Sequence, residues 1–351
     1  MADNLYVHFP FCRTKCSYCA LYSRAGVSQA ERDAYVRRLA QEIARTGDAR
    51  RETLKTVYFG GGSPALCDLR PILDALARGG AVSAAQSETE FTVELHPLDV
   101  TEDLLKTLRD GGVNRISMGV QSLNDATLAD MGRGYTVDGA ARAFALVKKH
   151  FDNAGIDLIV GYPGEDKSKS GVEVEQWKGR FLALNDWGLR HCSVYSLQNE
   201  RGLKGVPDDD VVLDRLRQVA ACLRTMGLKR YEISNYAVPG FECRHNLAVW
   251  RGEDYVGLGD GACGRIGLKR TKFGKAETVD AVFDLKERSI FRLRTREGLD
   301  ASSFRSLPSF SSLLAALDHH VAQGLLTKSG SVFRLTERGT GVCDSILADL
   351  V

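Results

Sequence analysis

Three cysteines near the start of the chain have the residue type and the spacing that bind a metal cluster. Cys12, Cys16 and Cys19 form a C-x3-C-x2-C pattern directly after a short β-rich run. Cysteine thiolates are the usual protein ligands of iron–sulfur clusters, and three of them on a four-iron cluster leave one iron without a protein ligand. That iron can bind a small molecule through an amine and a carboxylate. The pattern therefore predicts a 4Fe–4S cluster whose open iron binds a ligand such as S-adenosyl-L-methionine.

A zinc site is the alternative interpretation of these cysteines, with His8 or a distant side chain as the fourth ligand. Zinc sites more often combine two C-x2-C pairs, and the sequence has no second pair. The chain has nine cysteines and no secretion signal, which favours a reducing, cytoplasmic location in which clustered cysteines are metal ligands or catalysts. Scattered cysteines are usually buried small hydrophobes. The scattered ones here are Cys67, Cys192, Cys222 and Cys343.

The composition is that of an ordinary globular protein. Of the 351 residues, 44% are hydrophobic and 26% are charged, and the formal net charge is +2. No basic run resembles a nucleic-acid-binding arm, and no apolar run approaches the roughly 18 residues of a membrane span. We therefore expect neither a nucleic-acid partner nor a transmembrane segment. One dense basic cluster is either a solvated hairpin or a patch for an anionic ligand: Arg265, Lys269, Arg270, Lys272 and Lys275.

Strand-like and helix-like segments alternate along most of the chain. The β-rich runs lie at 5–9, 56–60, 91–95, 115–120, 156–161, 192–197 and 230–234. Helices are predicted between them, at about 28–45, 68–78, 101–110, 136–150, 173–187 and 209–226, most of them ending at glycine. Repeated β-then-α units indicate parallel strands joined by crossover helices. Six or seven units predict an α/β fold with a partial (β/α) TIM-type barrel.

Polar residues and glycines lie at the ends of these predicted strands. The cysteines follow the first strand, and the run GGGSP at 60–64 follows the second. Glu94 closes the third strand, Gln121 follows the fourth, and Asp157 lies in the fifth. A (β/α) barrel carries its chemistry at the C-terminal ends of its strands, so one shared rim accounts for all of these positions.

The sequence divides into three parts. Residues 1–240 form the predicted barrel core, and residues 241–289 form a glycine-rich connecting segment that contains an HNxxxW motif. Residues 290–351 contain a helix near 311–323, a β-hairpin and a last helix at 337–349. This order predicts a small α+β, winged-helix-like C-terminal domain, which by itself carries no DNA-binding function.

Several motifs occur in an order that resembles a known family. C-x3-C-x2-C after the first strand and GGGSP after the second are similar to the radical S-adenosylmethionine (SAM) superfamily. The ordered motifs YVHFPFC, YFGGGSP, VNRISMGVQS, DLIVGYPG, YEISNYA and CRHN resemble the oxygen-independent coproporphyrinogen III oxidase family, and most of all its haem-chaperone branch, HemW. The resemblance covers nearly the whole chain.

The resemblance implies a role for each matching residue. Cys12, Cys16 and Cys19 would ligate the 4Fe–4S cluster. Gly61, Gly62 and Ser63 would approach the methionine amino group, with Ser63 in place of the family's usual threonine. Other residues match positions that line cofactor sites in the oxidase: Tyr6, Tyr18, Glu94, Gln121, Arg133 and Asp157. From the residues alone, Glu94 or Asp157 could instead be an ion-pair partner at the rim, and Tyr6 could be a core residue.

Three features favour the haem-chaperone branch. The oxidases carry a fourth cysteine two residues after the third, where this chain has Leu21. They also have an N-terminal extension, for which a first cysteine at residue 12 leaves no room. His245 begins a motif similar to the chaperones' H-N-x-x-Y-W, whose histidine is implicated in haem binding, and Cys243 is a second possible haem ligand.

The chain also departs from the family pattern. Val249 stands where the motif has tyrosine, Cys263 where a histidine is usual, and His96 where an asparagine usually follows the glutamate. The change at Val249 removes a polar ring that could orient a ligand, which weakens the haem assignment of His245.

The resemblance therefore implies three possible functions. The favoured one is a haem chaperone that binds haem and delivers it to an acceptor protein. The second is the oxidative decarboxylation of coproporphyrinogen III to protoporphyrinogen IX, and the third is a radical SAM methyltransferase or haem-degrading relative. Radical chemistry would need a low-potential electron donor of the flavodoxin or ferredoxin type. Whether the protein is an enzyme, and whether SAM is cleaved or only bound, stays open at this level.

Overall fold

The structure is a computed structural model that describes residues 2–48, 54–82, 88–164 and 178–350. Its strands, in chain order, are β1 (Asn4–Phe9), β2 (Phe11–Cys12), β3 (Arg24–Ala25), β4 (Thr56–Gly61), β5 (Glu90–Leu95), β6 (Arg115–Gln121), β7 (Ala154–Val160), β8 (His191–Ser196), β9 (Lys229–Arg230), β10 (Asn235–Ala237), β11 (Tyr255–Leu258), β12 (Cys263–Ile266), β13 (Lys269–Lys272), β14 (Lys275–Thr278), β15 (Leu299–Asp300), β16 (Leu326–Ser329) and β17 (Val332–Leu335).

Helices connect these strands and cover the outside of the sheet. The α-helices are Gln29–Asp48, Arg70–Arg78, Glu102–Asp110, Asp125–Asp130, Val137–His150, Asp209–Thr225, Arg244–Trp250, Ala281–Leu293, Phe310–Ala322, Glu337–Gly341 and Cys343–Ala348. The 3-10 turns are Pro64–Leu66, Pro97–Asp99, Ala183–Trp187 and Ala301–Phe304. Within the described ranges, no helix is both long enough and apolar enough to cross a membrane.

The main sheet confirms the predicted partial barrel. Its described strands lie in the order β14-β13-β12-β11-β1-β4-β5-β6-β7-β8-β10-β9. All neighbours from β11 to β8 pair in parallel. The sheet stays open, because β14 and β9 lie at opposite ends of the order and do not pair. The C-terminal ends of the parallel strands share one rim, to which the cysteine loop and the glycine run belong.

The predicted strand at 230–234 is wrong. Only Arg230 lies in a strand, and β10 then runs antiparallel to β8. The buried carboxylate of Glu232 accepts a hydrogen bond of 3.0 Å from the backbone nitrogen of Ser234 and another from the Asn235 side chain, which turns the chain at this point. The opposite edge also differs from the prediction, since β11 to β14 of the predicted connecting segment extend the sheet.

The predicted helix starts and stops are largely confirmed. The backbone nitrogens of Ser28 and Glu31 bond each other's side chains at 3.1 and 3.3 Å, which is the capping box. The Thr101 and Thr136 hydroxyls cap their helices at 3.2 and 3.1 Å. Of the helix predicted at 173–187, the part before residue 178 lies outside the described residues. The described part ends at Gly188, whose φ of 64° is the left-handed C-terminal cap.

A small second unit follows the barrel. Strands β15, β17 and β16 form an antiparallel sheet, and its core is separate from that of the barrel. The core residues include Leu299, Phe304, Leu317 and Phe333. The helix predicted at 337–349 is broken at Val342, and the helix Ala281–Leu293 runs across the predicted boundary at 289/290.

The basic cluster on β12 to β14 is a hairpin, as predicted, but two of its members are not solvated. The side chains of Arg265 and Arg270 are 3% and 12% exposed. Each lies 2.5 Å from the carboxylate of Asp284, and both also contact Glu287. Buried guanidinium groups are stable only when carboxylates neutralise them, so these two arginines hold the helix Ala281–Leu293 on the sheet and offer no anion site.

Candidate functional site

The cysteine loop lies at the C-terminal rim of the barrel, closed by hydrogen bonds at its base. Cys12 lies in β2, which pairs with β3, and the backbone nitrogen of Cys19 donates to the oxygen of Cys16 at 3.2 Å. Lys15 Nζ donates to the Leu21 oxygen at 2.5 Å and to Ser23 Oγ at 2.7 Å. All three thiols are free and partly exposed. Burial raises the pKa of Cys12, a hydrogen bond to Ser23 lowers it, and the Cys19 and Cys16 thiols raise it further.

The loop fits a cluster better than a single metal ion. Among the described residues, no three His, Cys, Asp or Glu side chains converge on one point that could hold an ion. A four-iron cluster does not require such convergence, because each thiolate binds a different iron. The zinc alternative also loses its proposed fourth ligand. His8 Nε2 donates to the Tyr22 oxygen at 2.9 Å and its Nδ1 accepts from the Tyr6 hydroxyl at 2.9 Å, so both ring nitrogens are engaged.

A cation supports the cysteine loop from the segment between the helices Asp125–Asp130 and Val137–His150. Arg133 Nη1 lies 3.4 Å from Cys16 Sγ, while its Nη2 donates to the Gly119 oxygen at 2.6 Å. Burial lowers the pKa of Arg133, but Tyr135, Tyr18 and Cys16 raise it more, so the guanidinium stays charged. The loop that carries the three cysteines thus has a charged guanidinium within hydrogen-bond distance of Cys16.

Arg133 also clamps an irregularity in β6. The register of β6 against β7 shifts between Gly119 and Gln121, and Gln121 has a φ of 72°. The Tyr135 hydroxyl donates to the backbone oxygens of Gly119 and Val120 at 3.0 and 2.8 Å. Bulges and positive φ angles at non-glycine residues concentrate at functional sites, where they re-aim a side chain.

The glycine run packs against the first strand too closely for side chains. A Cβ on Gly62 would lie 2.3 Å from the Phe11 oxygen, and a Cβ on Gly61, whose φ is 111°, would lie 2.6 Å from the His8 ring. The Gly62 nitrogen donates to the Phe9 oxygen and the Ser63 nitrogen to the Phe11 oxygen, each at 2.7 Å. The run thus fixes the distance between β4 and the start of the cysteine loop.

The hydroxyl of Ser63 is already engaged in the structure. It donates to Asp99 Oδ2 at 2.5 Å, and Arg13 Nε of the cysteine loop donates to Asp99 Oδ1 at 2.7 Å. Asp99 is 7% exposed and therefore ties the glycine run to the cysteine loop. The sequence analysis missed Asp99. The only local signal for it is an acidic residue in the short turn that follows β5 at the rim.

Two half-buried carboxylates lie inside the barrel and influence each other electrostatically, and among the described residues no cation bonds to either. Glu94 Oε1 accepts from the Tyr58 hydroxyl at 2.7 Å, and Oε2 accepts from the Gly61 nitrogen at 3.2 Å. Asp157 accepts from Ser117 Oγ at 3.0 Å. Burial, together with the charge of Asp157, raises the pKa of Glu94 to about 7, and burial raises the pKa of Asp157. The rim ion-pair interpretation finds no support, because neither carboxylate pairs with a basic side chain among the described residues.

The carboxylate pair fits a cationic ligand. A charged carboxylate away from water costs free energy unless an opposite charge lies next to it. SAM carries two positive groups that could supply this charge, a sulfonium and an ammonium group. Of the other predicted residues, Tyr6 lies on the Glu94 side of the site and Tyr18 lies nearer the cysteine loop. Tyr6 bonds His8 and lies 6.1 Å from the Tyr58 ring, and Tyr18 lies edge-on to Tyr162 at 6.4 Å and interacts electrostatically with Arg133.

His245 lies away from this group, at the N-terminal end of the strands. Its Nδ1 bonds the hydroxyl of Thr56, the first residue of β4, whereas Gly61 is the last, about 16 Å along the strand. The imidazole is 4% exposed and packs 5.1 Å from the Tyr58 ring. Burial and the charge of Arg115 lower its pKa to about 3. The imidazole is therefore too enclosed in this conformation to serve as a ligand of haem iron. Cys243, the second candidate, is 0% exposed.

Comparison with known proteins identifies the family. The model of the radical SAM superfamily matches residues 6–169, and the model of the HemN C-terminal domain matches residues 284–340. The heme chaperone HemW of Escherichia coli (strain K12) is 30% identical over 98% of this chain and 97% of its own length. The chain belongs to the HemW family. The HemW protein of Mycobacterium tuberculosis (strain ATCC 25618 / H37Rv) is 32% identical over 99% of this chain and 94% of its own.

Structural comparison agrees with membership in the HemW family. Coproporphyrinogen III oxidase (HemN) from Escherichia coli superimposes with a TM-score of 0.81, covers 99% of this chain and 89% of its own, and is 20% identical in sequence. This likeness shows a shared fold over both units. As a radical SAM superfamily member, the HemW family implies a 4Fe–4S cluster and SAM. When bound, these groups supply reductive one-electron chemistry.

Proposed function

We propose that this protein binds haem and delivers it to acceptor proteins, with a 4Fe–4S cluster and SAM bound at the rim of the barrel. The observation that carries the proposal is the similarity to HemW heme chaperones along nearly the whole chain. The cysteine loop supports it, because Leu21, two residues after the third cysteine, is 60% exposed and brings no fourth thiol to the loop.

Roles for the site residues form part of the proposal. Cys12, Cys16 and Cys19 hold the cluster, and Arg133 and Lys15 stabilise the charged loop. The cationic ligand lies against Glu94 and Asp157, and Gly62 and Ser63 keep the glycine run against β1. Further residues border the ligand: Tyr6, Tyr18, Gly61 and Gln121. We also retain the division into a barrel core, a connecting segment and a C-terminal unit, a cytoplasmic location, and a flavodoxin- or ferredoxin-type electron donor for any reductive step.

Haem binding is the first test of the proposal. The purified protein, with its cluster reconstituted without oxygen, is titrated with hemin and followed by its Soret band, then passed over a gel-filtration column. We expect saturable binding of haem that stays with the protein through the column. Haem-loaded protein mixed with a haem-free cytochrome should then lose the pigment to the acceptor. A Soret band that does not change during the titration would contradict the proposal.

The decarboxylase activity is the second candidate function, and the barrel interior is the observation in its favour. The Glu94 and Asp157 pair and the bulge at Gln121 would suit a site that binds and orients SAM for cleavage. The same preparation is therefore incubated with coproporphyrinogen III, SAM and a reductant, beside an active oxidase. We expect no protoporphyrinogen IX. Its formation would replace the chaperone proposal by the enzymatic one.

A further inference from the structure

An exposed apolar patch borders the cysteine loop. Leu21 and Tyr22 follow Cys19 by two and three residues, and their side chains are 60% and 43% exposed. Phe273, in the turn between β13 and β14, is 51% exposed, and its ring lies 5.5 Å from that of Tyr22. Large apolar side chains that gather at the surface mark interaction sites. Leu21, Tyr22 and Phe273 are called the apolar patch below.

Phe273 has a backbone conformation that disfavours its residue type. Its φ is 51°, and among the described residues Gln121 is the only other non-glycine residue with a positive φ. Phe273 and Gly274, whose φ is 72°, form the two-residue turn between the paired Lys272 and Lys275. Turns with two positive φ angles favour Asn, Asp or Gly at the first position. Neither the turn nor burial therefore explains a phenylalanine here, whereas contact with another molecule does.

The surface around the apolar patch is positively charged. Residues 4–30 and 261–276, which contain the cysteine loop and the hairpin tip, include no Asp or Glu. The exposed Lys15 donates only to neutral oxygens, and Lys272 lies over the ring of the patch phenylalanine at 5.7 Å. Within the described part of the chain, no ion pair is formed by Lys15, Lys272 or Lys275.

Two carboxylates that adjoin these segments are already engaged. Asp260 lies 2.7 Å from Arg38. Glu31 accepts from Ser28 in the capping box and interacts electrostatically with Arg24. Neither carboxylate therefore cancels the charge of the three lysines, and the surface is complementary to an acidic partner.

We propose that this surface docks a small acidic protein that donates one electron to the cluster. A chain spans at most about 3.6 Å per residue, so Tyr22 lies within about 11 Å of Cys19, and a partner on the apolar patch approaches the cluster closely. Electron-transfer encounters have small interfaces that opposite charges steer into place. Three apolar side chains flanked by lysines fit an interface of that kind.

The electron leaves a reduced flavin or iron–sulfur group of the partner, which is oxidised by one electron as the cluster is reduced. This inference rests on the proposed function, which includes the cluster. An anionic membrane surface would also be attracted to lysines beside aromatic rings, so the experiment includes vesicles.

The test uses the full-length protein with its cluster reconstituted, and flavodoxin, an acidic protein that carries an electron on its flavin, as the probe. Lys272→Glu/Lys275→Glu is compared with Lys149→Glu/Lys229→Glu, which changes two exposed lysines away from the cysteine loop. At low ionic strength we expect the dissociation constant for flavodoxin to rise at least tenfold in the first variant and to stay within twofold in the second.

Reduction of the cluster is the second measurement. The rate at which flavodoxin hydroquinone bleaches the visible absorption of the cluster should also fall at least tenfold in Lys272→Glu/Lys275→Glu. Dithionite is a small reductant that needs no docking surface, so it should reduce the wild type and both variants at the same rate. An equal rate with dithionite verifies that the cluster of each variant is intact.

Phe273→Asn separates docking from the stability of the hairpin. Asparagine accepts a positive φ more readily than phenylalanine, so the variant should stay folded in thermal unfolding curves. Its affinity for flavodoxin should nevertheless fall at least threefold, because the exposed ring is lost. An affinity equal to that of the wild type would remove Phe273 from the surface.

The outcomes distinguish this surface from the proposed function. Equal flavodoxin affinity and equal reduction rates in the wild type and the folded Lys272→Glu/Lys275→Glu variant would overturn the surface alone, since haem and iron uptake test the function separately. A wild-type protein that takes up no cluster would overturn both. Binding to phosphatidylglycerol vesicles that the same variant abolishes, with no change in its reduction rate, would assign the surface to a membrane instead.

Discussion

The Tyr58 hydroxyl donates a 2.7 Å hydrogen bond to Glu94 inside the barrel. Tyr58 connects His245 to the glycine run, because its ring lies 5.1 Å from the His245 ring and its partner Glu94 also bonds the Gly61 nitrogen. The hydrogen bond favours the charged form of a carboxylate that burial makes hard to ionise. Tyr58 therefore lowers the pKa of Glu94 against burial and the charge of Asp157, which raise it.

Tyr58→Phe should shift the pH dependence of SAM binding. Affinity for a cation rises as Glu94 ionises, so in the wild type it should increase through a midpoint near pH 7, the pKa to which burial raises Glu94. A hydrogen bond to a charged group stabilises it by about 1.5–3 kcal/mol, so its loss moves the midpoint upward by about 1 to 2 pH units. Calorimetric titration with SAM from pH 6 to 9 measures this. Tyr22→Phe, which removes an exposed phenol hydroxyl, should leave the midpoint in place.

Glu94→Gln should change the pH dependence of stability in the absence of SAM. The pKa of Glu94 is about 7 in the folded protein and 4.5 when unperturbed. Between these values the folded state keeps a proton that the unfolded state releases, so the wild type loses stability as the pH rises. The variant does not lose stability in this way. Its free energy of unfolding, relative to that of the wild type, should therefore rise by up to about 3 kcal/mol between pH 5 and pH 8. Urea unfolding at both pH values tests this, and parallel curves for the two proteins would refute it.

His245→Ala should destabilise the protein without weakening haem binding. The enclosed ring fills space between Thr56 and Tyr58, and its removal leaves a cavity that costs about 2–4 kcal/mol. Its Nδ1 already bonds Thr56, so no loss of a haem ligand is expected. Denaturant unfolding and hemin titration are measured on the same sample, with the exposed His319→Ala as the control. A loss of haem affinity in a folded variant would restore His245 as a ligand.

Gly62→Ala should prevent formation of the cluster site. The added methyl group would lie 2.3 Å from the Phe11 oxygen, which is backbone and cannot move aside cheaply. The displaced strand end carries Cys12, so iron uptake on reconstitution should fall to a small fraction of the wild-type value. Gly179→Ala is the matched control, because a Cβ there meets nothing within 4 Å. Iron content and the visible absorption of the cluster are the readouts, and full iron uptake by Gly62→Ala is the outcome that contradicts this account.

Asp284→Asn should destabilise the attachment of the helix Ala281–Leu293. The Asp284 carboxylate contacts Arg265 and Arg270, and removal of its charge leaves Glu287 as the remaining carboxylate beside both buried cations. Loss of a buried partner costs at most about 3–5 kcal/mol, and Glu287 reduces that cost. Asp138→Asn breaks a pair with Arg142 whose side chains are 77% and 70% exposed, and should cost less than about 0.5 kcal/mol. Chemical unfolding compares the two variants, and equal costs would contradict the assigned role.

Much of the fold was predictable because its signals are local. Helix caps at Ser28, Thr101 and Thr136 depend on side chains within three residues of the backbone that they bond. The segment 230–234 has the composition of a strand but does not form one. The carboxylate of Glu232 is a stronger acceptor for the backbone nitrogen of Ser234 than a neighbouring strand would be. The sequence also predicted the hairpin of β13 and β14. It did not predict the burial of Arg265, because that burial depends on the helix Ala281–Leu293, which the sequence pattern had not indicated.

The sequence by itself determined the cysteine loop, the glycine run, the order of the parallel strands and the family, because spacing and residue type carry that information within short segments. Only the tertiary structure placed Arg133 beside Cys16, joined Asp99 to Ser63 and Arg13, and enclosed His245. Burial and charge pairing depend on which distant segments the fold brings into contact, and no local pattern encodes those neighbours.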